Sequence, residues 1–289
     1  MTDSSTTPSR ASFTEVIART PLVPLALVLA ALTLRLLSSL DSFYVGLGER
    51  YLDALARWSG GWLRPDVTHT LIGALIVIGG VIMWLGRLRP RQLGLEARGA
   101  RGWLLALVAT WCGFQLVLLA ASVLGGAPRW HPHLPTRFDL QLLVFQVLVT
   151  GVVEEVFYRG FLLPQLYRRL VQVQTPGRAL ATAIALLSVV FALLHLPVRL
   201  AEPGMDAAAL ARTLWALAWM SALFAWIYVR SGNLLVAAAV HAILNAPTPL
   251  LTTSADEVLT SQLRWVVMVG AALCFVFYPR VLRPRPPEE

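Results

Sequence analysis

Apolar segments about twenty residues long, the length an α-helix needs to cross the hydrocarbon core of a bilayer, follow one another through most of the chain with short polar joints between them. They fall near 21–40, 67–86, 103–125, 139–163, 180–198, 210–230, 233–250 and 262–279. Of 289 residues, 57% are hydrophobic and 14% charged, against a soluble average of roughly 45–50% apolar and ~25% charged. The expected fold is all-α, a polytopic transmembrane helical bundle of about eight spans. Residues 1–20 read as a disordered polar tail, 21–279 as a single membrane domain with its chemistry at about 139–250, and 280–289 as a second tail. The first apolar segment follows Arg19 with no small-residue cleavage site, so it is expected to stay as a span.

The net charge is +8, and every basic residue is Arg. Most of these arginines fall in the joints, where orientation signals belong, which argues against a nucleic-acid partner. Arg87, Arg89, Arg91, Arg98 and Arg101, then Arg168, Arg169 and Arg178, then Arg280, Arg283 and Arg285 all lie on one side in an eight-span count. Opposite joints are poorer in Arg or carry acids, as in Glu202 with Asp206 and Asp256 with Glu257. The expected placement is a multi-pass protein of the cell inner membrane with both termini cytoplasmic. The joint 41–66 holds Arg50, Arg57 and Arg64 with Tyr51, Leu52, Leu55, Trp58 and Trp62 at helical spacing, the pattern of an amphipathic helix lying in the interface after the first span. Cys112 and Cys274, far apart in apolar segments, predict neither a disulfide nor a Cys-based metal site.

Glu154 and Glu155 stand side by side in the middle of an apolar span, with Arg159 one turn on. A charge at bilayer depth costs at least ~2.5–3.5 kcal/mol and marks a partner or a wet cavity. Neighbours on a helix point about 100° apart, so the two carboxylates have different jobs. Glu155 and Arg159 are spaced i, i+4 with the acid first, the favourable order for an ion pair. That leaves Glu154 as the better candidate for chemistry. The next span places Phe191 one turn before His195, and the seventh places His241 and Asn245 at i, i+4. Each is compatible with packing or interhelical polar contact, worth only ~0.6–2 kcal/mol. One base, two imidazoles and an amide on three spans make a constellation that packing alone does not require. As bounded above, Glu154 and His195 lie at unequal depth and meet only if the span limits shift by several residues. Ser188 is read as a packing hydroxyl, since no nucleophile elbow surrounds it.

Glu-Glu-x-x-x-Arg, then Phe-x-x-x-His, then His-x-x-x-Asn, in that order on separate apolar helices, resembles the CPBP family of CAAX-protease and bacteriocin-processing intramembrane endopeptidases, also called ABI. Arg-Gln-Leu-Gly-Leu at 91–95 is similar to the segment that precedes the family core. The resemblance implies that Glu154 with His195 activates the water attacking a peptide bond. It implies that His241 and Asn245 hold the oxyanion or position that water, and that Glu155, Arg159 and Phe191 shape the site. It leaves the metal open. There is no His-Glu-x-x-His, while His195, His241 and Glu154 could supply the three ligands a catalytic zinc takes; a metal-free, glutamate-dependent mechanism with no cofactor is favoured. The expected partners are a membrane-anchored protein or peptide substrate and the lipid bilayer. Because the Arg-only, Ala- and Leu-rich composition fits a high-GC bacterium, maturation of a peptide or removal of a sorting tail is favoured over prenyl-protein processing. The competing expectations are a non-catalytic immunity or scaffold protein on the same fold and a small-solute transporter.

Overall fold

The computed structural model describes residues 17, 20–38, 49–63, 65–96, 99–124, 129–130, 137–246, 248–252, 266 and 270. The expected N-terminal tail, the span at 262–279 apart from two single residues, the tail at 280–289, Cys274, and the joint residues Arg64, Arg98, Asp256 and Glu257 lie outside them. In chain order the helices are α1 (Leu25–Leu37), α2 (Glu49–Trp58), and α3 (Pro65–Ala74, continuing through Leu75–Leu85). Then come α4 (Ala100–Leu124), α6 (Pro176–Leu194), α7 (Leu196–Leu200), α8 (Ala207–Ser231) and α9 (Leu234–Asn245). Between α4 and α6, α5 runs unbroken from Arg137–Phe145 to Leu163–Leu170, with π-helical turns at Gln146–Thr150 and Val156–Leu162. A two-residue antiparallel ladder, β1 (Arg129–Trp130) opposite β2 (Leu251–Thr252), is the extended structure among the described residues.

Four helices are long and apolar enough to cross a membrane: Ala100–Val123, Gln141–Leu170, Pro176–Leu200 and Ala207–Ser231. They turn apolar side chains such as Leu116, Val189 and Trp215 outward, as helices do when the surrounding solvent is lipid. The architecture is therefore the helical membrane bundle expected, with a refinement. Leu25–Leu37, Leu71–Leu85 and Leu234–Asn245 are apolar but shorter. The segment marked as amphipathic does form a helix, α2, which turns Leu52 inward and leaves Tyr51 and Trp58 exposed.

α9 is the innermost element, since all but two of its residues are buried. Twelve residues rise only about 18 Å, short of the hydrocarbon thickness of about 30 Å. Small side chains at Ala237, Ala238, Ala239 and Ala242, each fully buried, let α4, α5 and α8 close around it. Its start is fixed by Gly232, whose φ of 67° ends α8, and by Asn233. The Asn233 side chain accepts from Leu235 N–H and donates to Gly99 O. Gly151 of α5 lies against it, where an added Cβ would sit 3.0 Å from Ala238 O.

The arginine-bearing end of α5 is tied to the segment that leads into α1. Gln165 accepts from Val23 N–H and donates to Pro21 O, Arg168 donates to Thr20 O, and Arg169 donates to Val23 O. Thr20 Oγ1 lies 2.6 Å from Gln92 O and 3.2 Å from Gly160 O, its one proton bridging the two carbonyls. The 91–95 segment is thereby docked: Pro90–Leu93 makes a 3-10 turn, Leu93 is fully buried, and Gly94 adopts φ 82° beside Leu234.

A Cβ on Gly160 would overlap Leu93 O. Gly160→Ala is expected to destabilise the protein by about 1–3 kcal/mol through overpacking. Gly177→Ala, whose Cβ meets nothing within 4 Å, is expected to leave the melting temperature in detergent unchanged or slightly raised.

Candidate active site

Depth is what brings the constellation together. The joint between α5 and α6 is only residues 171–175, so both helices reach further toward it than their apolar runs suggest. Counting away from the joint, Glu154 lies 16 residues before Leu170 and His195 lies 19 residues after Pro176. At 1.5 Å per residue these are about 24 and 28 Å. The two residues therefore lie at similar depth.

Glu155 is fully buried, and its Oε1 is the hub of one half of the site. Arg159 donates to it at 2.9 Å, and His241 Nδ1–H donates to it at 2.8 Å. Arg159, itself fully buried, also donates to Ser221 O at 2.9 Å and Ser221 Oγ at 3.0 Å on α8. The faces of Tyr158, Phe191 and Phe224 surround the guanidinium at 5.7, 5.2 and 5.3 Å, each a favourable cation–π placement. Phe224 also stacks on His241 with ring centroids 4.6 Å apart. Glu155, Arg159 and Phe191 thus pack together into one wall, and Glu155 holds His241 through Nδ1.

Glu154 occupies the other half. Arg35, in the last turn of α1, places NH2 3.2 Å from Glu154 Oε1. The second oxygen, Oε2, lies 3.7 Å from His241 Nε2, too long for a direct hydrogen bond. Since Nδ1–H is given to Glu155, Nε2 of the neutral ring is an acceptor. His195 ends α6, because Pro197 has no N–H for the carbonyl of Leu193. Its Nδ1–H donates to Phe191 O at 2.7 Å, and its ring lies 4.4 Å from that of Phe191. This leaves Nε2 with the lone pair. Arg35 also lines a cavity of about 50 Å³ together with Ser38, His69, Val77, Val153 and Phe157, with room for a few waters.

The structure therefore gathers Glu154, Glu155, Arg159, Phe191, His195 and His241. Asn245 sits one turn beyond His241 at an exposed position, where its amide donates to Gln146 Oε1 at 3.1 Å. Ser188 spends its hydroxyl on Ile184 O of its own helix at 2.8 Å. Arg35, Ser221 and Phe224 were not legible as site residues. Arg35 alone left a signal, an arginine inside the first apolar segment. Among the described residues, no three of His, Cys, Asp and Glu converge in a geometry that could hold a metal ion.

Against known proteins, residues 135–247 match the family described as Type II CAAX prenyl endopeptidase Rce1-like. No curated protein and no solved structure matches the chain.

Removing one partner of a buried ion pair costs about 3–5 kcal/mol because the other charge is left uncompensated. Glu155→Leu should therefore lose thermal stability on that scale and accumulate poorly. Ser221→Ala, which removes one of two acceptors from Arg159 on α8, should cost about 1–3 kcal/mol. Melting curves in detergent compare the two.

Proposed function

We propose, on the premise that the core of this chain at 135–247 belongs to the CAAX-protease family, that the protein is a glutamate-dependent intramembrane endopeptidase. At family level it is a CAAX-type membrane peptidase acting on a membrane-associated substrate. The finer reading is that Glu154 and His195 share the hydrolytic water. One group takes its proton as the water oxygen bonds to the scissile carbonyl carbon, and the proton passes to the leaving amine as the C–N bond breaks. His241 Nε2, an acceptor facing Glu154 Oε2, orients that water. Asn245, at the open end of α9, is the donor for the carbonyl oxygen once a substrate displaces Gln146 from it. The observation that carries the reading is a carboxylate deep in an apolar helix, paired through one oxygen only, beside two imidazoles whose Nδ1–H groups are both already given away.

No step requires a metal, and the reaction is written without one. The protein lies in the cell inner membrane with both termini cytoplasmic, so its arginine-rich joints face the cytoplasm. Its substrate is a peptide or a sorting tail anchored in that membrane.

Cleavage of a membrane-anchored substrate in proteoliposomes tests this. Glu154→Gln is expected to lower kcat by about 100-fold or more, with normal accumulation, while wild type keeps its rate with a zinc chelator present. A rate lost to the chelator and restored by zinc would put a metal in the mechanism. Full function of Glu154→Gln in cells would instead favour a scaffold or immunity protein.

A further inference from the structure

The segment that resembles known endopeptidases begins at residue 135, yet one of the charges at its centre comes from outside it. Arg35 lies about a hundred positions earlier, on α1, and its guanidinium pairs with Glu154 Oε1 at 3.2 Å. The register of this pair is built into the fold. α1 and α5 run antiparallel from a shared tether, where Gln165 binds Val23 N–H. Arg35 is 12 residues beyond Val23, and Glu154 is 11 residues before Gln165. At about 1.5 Å per residue these distances match to within one residue. Arg168 and Arg169 add bonds to Thr20 and Val23 at the same end, so the tether is held by three side chains of α5.

The placement has a chemical meaning. Arg35 takes one oxygen of Glu154 and leaves the other facing His241 Nε2. Without it the side chain would be free to turn toward Arg159, which already serves Glu155. The backbone of Arg35 is in turn bonded by Ser38 Oγ at 2.8 Å, closing the last turn of α1. We propose that Arg35 is a positioning residue for the hydrolytic reaction, fixing the orientation of Glu154 so that a single oxygen is presented to water. This rests on the endopeptidase reading above. It makes α1 part of the working site although it lies outside the matched core.

The test is a kinetic comparison of wild type, Arg35→Lys, Arg35→Met, Glu154→Gln and the Arg35→Met/Glu154→Gln double variant in proteoliposomes, with melting temperatures beside the rates. Arg35→Met is expected to lower kcat about 10- to 100-fold, the scale of a misplaced catalytic group, with KM within about 2-fold of wild type. Arg35→Lys should fall between the two. Added to Glu154→Gln, Arg35→Met should cause no further loss, because it acts through the group already removed. A wild-type kcat in Arg35→Met, or losses that multiply in the double variant, would overturn the inference while leaving the endopeptidase reading intact. Wild-type cleavage by Glu154→Gln would overturn that reading itself. Should Arg35→Met fail to accumulate, Arg35→Lys decides: a reduced kcat at unchanged KM and melting temperature supports the inference, and an unchanged kcat overturns it.

Discussion

Two adjacent carboxylates on one helix within an apolar bundle can persist only if each is answered by its own cation. Neighbours on a helix diverge by about 100°, so no single arginine serves both. Glu155 is answered from its own helix by Arg159, and Glu154 from α1 by Arg35. The remaining architecture follows from that division. The Arg159 side needs acceptors and ring faces, which α6 and α8 supply. The Arg35 side needs α1 held in register against α5, which the tether around Gln165 provides.

His241 joins the halves, bonding Glu155 through Nδ1 and facing Glu154 through Nε2. A ring in that position requires its helix to come very close to α5. The alanines of α9 and the missing side chain at Gly151 allow it. The π-helical turns on both sides of Gly151–Glu155 also change the phase of α5 around the site, a distortion common where function demands it.

Much of this was legible in the chain. The Glu155–Arg159 pair follows from spacing alone, and the positions of the apolar helices follow from hydropathy. What escaped was whatever depends on where helices end. Polar residues such as Gln165, Arg168 and Arg169 extend α5 beyond its apolar run because they have partners in the segment before α1. That extension equalises the depths of Glu154 and His195. Apolar length likewise overstated α9, whose surroundings are protein, so a short helix is enough. Arg35 was hidden because a lone arginine in an apolar segment carries no spacing signal to a glutamate 119 positions away.

The hydroxyl of Thr20 has a wider consequence. It bridges Gln92 O and Gly160 O, and it does so from the same N-terminal stretch that leads to Arg35. A fragment trimmed to the limits of the recognisable core would keep its motifs yet lose that bridge and leave Glu154 without its cation. The portion of this chain that can be inherited, transplanted or redesigned as a unit is therefore longer than the portion that looks familiar.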